Sequence, residues 1–401
     1  MRYRKSISSV GLVAALALVL GACGGGSSGS AATKPSGDAT ATGSGIPQVA
    51  SPNASGDATA TESGIPQVAA TAYGDLPFTD TLPMDQGEIK IDGKTPKIVI
   101  GFSQTGFNHP WRVAMLQSVQ AEVARHPNVS LVVTDGHVDI AKQSNDIDDL
   151  LARGVDAIIM SPVESAGLVP AANRVLAAGI PLVVLDRDVF TDKSLFIGQS
   201  NVTMAYEVAK QMVKALGGKG KIVEITGLVG SSPAIDRSKG LKMALQEAPG
   251  IELLATGDGQ WIREPAVALM EDWLVRFPHI DAVFSHAEES SWGAQLAISK
   301  ADRCGDRTLQ FTHDGSSPGF QSVADGQFSA DGNYSPFIGD IGVRAALTLL
   351  QGQKIPDAKA YDQPGSYLQL PDSEVVTPDN AAKWIPRGWG DFAPPPNPCA
   401  K

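Results

Sequence analysis

Three aromatic residues, Phe107, Trp111 and Trp261, and four arginines, Arg112, Arg187, Arg237 and Arg263, fall in segments between apolar runs, beside the carboxylates Asp186, Asp314, Glu288 and Glu289 and the amide of Asn108. An aromatic face covers the apolar C–H side of a saturated ring. Guanidinium and carboxylate groups act as fork-shaped donors and acceptors towards hydroxyls. The set suits a small polyhydroxylated ring, and an arginine presents no proton that chemistry could use. Each residue also has an ordinary reading: Trp111 as a core residue at a helix start, Arg112 as the partner of a nearby carboxylate, Asp186-Arg187 as a local ion pair stiffening a loop. The readings differ in whether these groups share one rim.

Catalytic alternatives are weaker. Gly315-Ser-Ser-Pro-Gly319 matches the G-x-S-x-G pattern of a hydrolase nucleophile elbow, but such enzymes place the acid and then the histidine after the serine, and His313 is the last histidine of the chain. A Gly-Pro helix start is expected there instead. His286, Glu288, Glu289, His313 and Asp314 lack zincin spacing, and the two histidines belong to separate loops. Gly217-Gly-Lys-Gly-Lys221 lacks P-loop spacing and precedes a strand pattern, so it reads as a turn. No catalytic residue, cofactor or metal is expected.

The elements that must position these residues alternate regularly. Strand patterns at Lys97–Phe102, Ser130–Thr134, Ala157–Met160 and Leu182–Leu185 are separated by helix patterns at Pro110–Arg125, Ile140–Arg153 and Leu168–Ala178, the last two ending at Gly154 and Gly179. After Asn201 the alternation begins afresh. Strands are expected at Lys221–Thr226, Ile251–Ala255, Ala282–Ser285 and Leu309–Thr312, with helices at Ala234–Gln246, Glu264–Phe277 and Ser290–Lys300. Near-continuous apolar strands between helices imply parallel sheets covered on both faces, hence an α/β chain of two doubly wound lobes. Ligands of such sheets collect beyond the carboxyl ends of the strands, where the aromatic, arginine and acid residues fall.

The amino terminus has its own chemistry. Arg2, Arg4 and Lys5 precede an apolar run from Val10 to Leu20, and Leu20-Gly21-Ala22-Cys23 has the pattern that lipoprotein signal peptidases cut. The thiol of Cys23 would carry lipid, and the run is short for a membrane span. A plain secretory peptide cut elsewhere, or an uncleaved anchor, is the alternative. From Gly24 to about Thr79 the chain is mostly Gly, Ser, Ala, Thr and Pro, so disorder is expected. A polar stretch, Ser36 to Ala50, recurs from Ser55 to Ala69 with Glu62 in place of Gly43, as a duplicated linker does. The formal charge is −11, and the basic residues are scattered, which argues against a nucleic-acid partner or a polybasic membrane face. With Cys23 consumed, Cys304 and Cys399 either bridge in an oxidising compartment or remain free.

Four segments carry a family resemblance: Val99-Ile-Gly-Phe-Ser-Gln-Thr-Gly-Phe-Asn-His-Pro-Trp-Arg112, Gly179-Ile-Pro-Leu-Val-Val-Leu-Asp-Arg187, Ala234-Ile-Asp-Arg-Ser-Lys-Gly240 and His313-Asp-Gly315. They resemble the type I periplasmic sugar-binding proteins of ABC importers, the galactofuranose binders most and the ribose binders more distantly, over about Lys97 to Leu370. The resemblance implies two lobes joined by three hinge crossings, near Gln199–Asn201, Asn333–Pro336 and Lys359–Gln363, with Phe337–Gln351 returning to the first lobe as a helix. It implies ligand contacts from Asn108, Trp111, Arg112, Asp186 and Arg187 on one side and Arg237 and Asp314 on the other, with Trp111 stacked on the ring. The chain departs from the galactofuranose binders at Asn108, where they carry a carboxylate, and at Ala287, where they carry an amide-bearing residue. Loss of a side-chain donor and acceptor at Ala287 is expected to change which hydroxyl pattern is read, unless Glu288 or His286 reaches in.

The expected organisation is a lipoprotein signal over 1–22, a lipid-anchored disordered linker over 23–95, a first lobe over 96–200 plus 335–360, a second lobe over 201–334 plus 361–390, and a tail over 391–401. The expected activity is capture of a monosaccharide outside the cell by a monomer tied to the membrane, and its delivery to an ABC transporter permease. A ligand-sensing module that presents the closed form to a chemoreceptor or sensor kinase is the alternative.

Overall fold

The computed structural model describes residues 80–360 and 365–400, together with a short antiparallel pair, β1 (Thr59–Ala60) and β2 (Pro66–Gln67). The signal sequence, Cys23 and the first copy of the linker repeat lie outside the described residues.

The first lobe begins with β3 (Ile98–Gln104), α1 (Pro110–Val123), β4 (Val129–Asp135), α2 (Ile140–Ala152), β5 (Ala157–Met160), α3 (Val169–Ala177), β6 (Leu182–Leu185) and β7 (Leu195–Gly198). β5, β6 and β7 are buried at every position, as strands covered on both faces must be. Helix starts follow side-chain chemistry: Asp139 accepts from the Lys142 amide at 2.6 Å to cap α2, and Pro110 opens α1 behind the His109 cap. One apolar cluster gathers Trp111, Met115, Leu116 and Val119 of α1 on one face of the sheet. Another gathers Ile147, Leu150, Ala172 and Val175 of α2 and α3.

The second lobe holds α4 (Asn201–Ala215), β8 (Lys219–Thr226), α5 (Ser232–Glu247), β9 (Gly250–Asp258), α6 (Arg263–Arg276), β10 (Ala282–Ser285), α7 (Glu288–Lys300), β11 (Leu309–His313), α8 (Ser317–Ala324) and β12 (Ala330–Gly332). α4 and α5 cover one face and α6 and α7 the other. The sequence reading passed over β7, α4 and β12, while α8 stands where the Gly-Pro helix start was expected. α4 does carry a helical stripe, Met204, Ala205, Val208, Ala209 and Met212. It lies so close to α5 that a Cβ on Gly240 would stand 2.5 Å from the Val202 carbonyl oxygen.

The chain returns as α9 (Gly339–Leu350), β13 (Lys359–Ala360) and β14 (Ser366–Gln369), then crosses again to β15 (Val375–Val376) and α10 (Ala381–Trp384). The first sheet has the order β13-β14-β7-β6-β5-β3-β4 and the second β15-β12-β11-β10-β8-β9, parallel except at β13 and β15. The third crossing therefore follows Leu370 rather than lying at 359–363, because Ser366–Gln369 pairs with β7 and extends the first sheet. Gln199 stitches the crossings: its amide donates to the Pro371 carbonyl (3.1 Å) and to Ser373 (3.0 Å), and its oxygen accepts from the Ser335 amide (3.3 Å).

Two boundaries move. Residues 80–95, expected to be linker, pack on the first lobe. Leu82 and Ile89 are buried there, the Asn128 side chain bonds Ile89 from both sides, and Arg125 donates to the Met84 carbonyl at 3.0 Å. A few apolar residues spaced through a polar stretch suffice for this. The expected tail is also held, since Cys399 forms a disulfide with Cys304 (Cα–Cα 5.4 Å) and Ser299 donates to the Pro398 carbonyl at 3.1 Å. Among the described residues no helix is long and apolar enough to cross a membrane.

Candidate ligand-binding cleft

Loops after the carboxyl ends of β3, β4, β6, β8, β9, β11 and β12 enclose a cavity of about 270 Å³ between the lobes. It has room for several waters or one small solute.

The first wall is built on the start of α1. His109 caps the helix, its Nδ1 accepting from the Trp111 amide at 3.1 Å, and this sets Trp111 and Arg112 in the first turn, facing the cavity. Burial, then the guanidinium groups of Arg112 and Arg187, pushes the His109 imidazole down to about 3, so the ring is neutral. Arg112 pairs with Asp186 at 2.7 Å, donates to Ser161 Oγ at 2.8 Å and stacks over the Trp111 indole at 4.8 Å. Arg187 donates to the Val163 carbonyl at 3.0 Å and stands 3.8 Å from Asp186, while its Nε makes no hydrogen bond. Burial and the neighbouring Arg112 lower its basicity.

The second wall is centred on Arg237 of α5. Its Nε donates to Asn201 Oδ1 at 2.8 Å, and its Nη1 donates to the His286 carbonyl and pairs with Asp314 at 3.4 Å. Trp261 lies between the walls, with Arg237 5.3 Å and Arg187 5.7 Å from its ring centre. The indole rests on Gly227, where any Cβ would fall 2.1 Å from the ring, so only glycine admits it. Tyr334, on the second crossing, joins the walls. Its hydroxyl donates to Asp186 at 2.9 Å, its carbonyl accepts from Trp111 Nε1 at 3.1 Å, and its ring stacks on Trp111 at 5.7 Å and carries Arg237 at 5.0 Å.

Asp186, Trp261 and Asp314 sit at φ of 65°, 72° and 138°, conformations that side-chain-bearing residues hold only where the surroundings fix them. Here the Asp186 amide donates to Ile197 and the Asp314 amide to Gly332, both at 3.1 Å. Burial raises the Asp314 carboxyl well above the usual range, against the opposing pull of Arg237. Two hydrogen bonds close the rims: Ser165 N to the Gly230 carbonyl (3.1 Å) and Asp188 N to Ser232 Oγ (2.8 Å). This is the closed arrangement of the lobes.

Of the residues singled out by sequence, Asn108, Trp111, Arg112, Asp186, Arg187, Arg237, Trp261 and Asp314 line this one cavity. Glu288 does not. It opens α7 behind the Asp314 loop, where it accepts from the Ser316 amide at 2.8 Å and from the Ser316 hydroxyl. His286 is equally committed, to Glu224 at 3.2 Å and to the Gly227 amide. Phe107 packs on the first lobe's core, and Arg263 pairs with Glu289 at 2.9 Å. Ser316, within the elbow-like motif, is the cap of α8 and accepts from the Gly319 amide at 2.8 Å. His109 and Tyr334 were missed, although each sits inside a segment already marked, one in the first motif and the other in the second crossing.

A profile described as a periplasmic binding protein domain matches residues 100–354. The ribose import binding protein of Bacillus subtilis is 28% identical over 66% of this chain and 85% of its own length. The galactofuranose-binding protein of Escherichia coli K12 is 30% identical over 69% and 89%. Among solved structures, the fructose-binding periplasmic domain of a hybrid two-component system is 30% identical, with a TM-score of 0.66, over 72% of this chain and 94% of that one. With its two parallel-sheet lobes and the cleft between them, the chain belongs to the type I periplasmic binding protein family.

Proposed function

We propose that the protein captures one monosaccharide between its lobes outside the cytoplasm and presents the closed form to the permease of an ABC importer. The observation that carries this reading is the composition of the cavity. Arg187 from one lobe and Arg237 from the other converge on one indole, and Asp186 and Asp314 stand beside them as acceptors. Neither wall alone surrounds a guest. A ligand touching both lobes favours the closed state by its differential affinity, so capture and the signal of capture are one event. Cys23 supplies the membrane tether in this reading, the folded part acting as a monomer on a lipid leash.

The test is calorimetric titration with pentoses, furanose and pyranose hexoses and inositols. One-to-one binding is expected, with a rise in melting temperature by mass action. Failure of every polyhydroxylated solute of this size, neutral or charged, to bind would contradict the reading. The likeness to the fructose-binding domain of a two-component system favours one second reading, in which the closed form docks on a sensor. Neighbouring permease and ATPase genes favour import, and a neighbouring sensor kinase favours sensing.

A further inference from the structure

The charges in the cavity do not balance. Arg112, Arg187 and Arg237 line it, and the lining carboxylates are Asp186 and Asp314. Asp186 lies 2.7 Å from Arg112 and 3.8 Å from Arg187, so one carboxylate serves two guanidiniums, while Asp314 faces Arg237 at 3.4 Å. His109 is neutral and does not alter the count.

Of the other carboxylates close by, Glu288 is engaged with Ser316, Glu289 with Arg263 and Glu224 with His286, while the buried Asp188 and Asp331 lie outside the cavity lining. Arg187 is only 2% exposed. A buried guanidinium whose share of a counter-ion is partial is costly until an anion joins it.

Two further features have the same sign. α5 and α6 start without a side-chain cap, and Pro233 and Ile262 at those starts line the cavity, so two positive helix ends border it. Arg187 Nε and Trp261 Nε1 are buried donors without acceptors, and both residues line the cavity.

We propose that the preferred ligand is a sugar acid, a monosaccharide-sized polyol bearing one carboxylate, with Arg187 as the partner of its charge. The carboxylate completes the second pairing that Asp186 cannot give Arg187, and the hydroxyls take up the indole N–H and the remaining guanidinium forks. This inference rests on the sugar-binding reading above and narrows it to a substrate class.

The experiment is calorimetric titration of the purified protein with hexuronates and aldonates, each beside the neutral sugar of the same stereochemistry. The matching acid is expected to bind about 10- to 100-fold tighter than its neutral counterpart, the size of effect that a charged, buried hydrogen bond carries. Arg187→Gln is expected to remove most of that preference. A neutral sugar bound as tightly as its acid overturns this inference and leaves the sugar-binding reading standing. Absence of binding by acids and neutral sugars alike overturns both. Full preference retained in Arg187→Gln overturns the assignment of Arg187.

Discussion

Arg187 and Trp111 line the same cavity and stand in opposite relations to the fold. Trp111 is 4% exposed, belongs to the first lobe's core, and ties its indole N–H to Tyr334. Trp111→Ala is therefore expected to lower apo stability by about 3 kcal/mol as well as to weaken binding, as large aromatic truncations in cores do. Arg187 is a buried charge with a shared counter-ion, so Arg187→Met should weaken ligand binding at least about tenfold while leaving apo thermal stability unchanged or higher. A marked loss of apo stability in Arg187→Met would make this arginine a structural ion pair. The sequence marked eight lining residues because arginine, aspartate, asparagine and tryptophan at strand ends seldom serve packing alone. It misplaced Glu288 because residue type does not say which way the first turn of α7 points, and there the Ser316 amide and hydroxyl took the carboxylate.

At the scale of elements, helices with apolar stripes and strands buried on both faces were legible, since period and burial leave direct marks in sequence. Crossings were less so. Ser366–Gln369 is four residues long and gains its place by pairing with β7, a non-local fact without a local signal. The rim elements carry a pH dependence. Burial, with a further push from Asp236, raises the Asp188 carboxyl to about 7, and its backbone amide is bonded across the seam to Ser232. Opening the cleft returns such a group to about 3.9, so closure takes up a proton between about pH 4 and pH 7. That contribution to closure is full at the acidic end and is lost as pH rises through 7. Ligand affinity should then fall from pH 5 to pH 8 by more in the wild type than in Asp188→Asn. Parallel profiles would show that Asp188 does not titrate with closure.

For the whole molecule, the two-lobe plan was readable from alternation, and its limits were not. The 80–95 segment and the carboxyl-terminal residues both fasten to lobes, the latter through Cys304–Cys399, a bond spanning 95 positions. A loop of that length makes the disulfide worth about 4.7 kcal/mol in chain entropy, so Cys399→Ser should lower the unfolding free energy by about 3–5 kcal/mol. Neither cysteine lines the cavity, and ligand affinity should stay within about twofold, as expected for distant sites. A large loss of affinity would show that the second lobe's outer face is coupled to the cleft.

Joint enclosure of a hydroxyl-rich ligand by the two walls is what couples capture to closure. The most direct measurement is the distance distribution between spin labels at the exposed positions Arg153 on the first lobe and Val275 on the second, with and without the bound monosaccharide. A broad, longer distribution collapsing to one shorter population on saturation is predicted. An unchanged distribution at full ligand occupancy would contradict it.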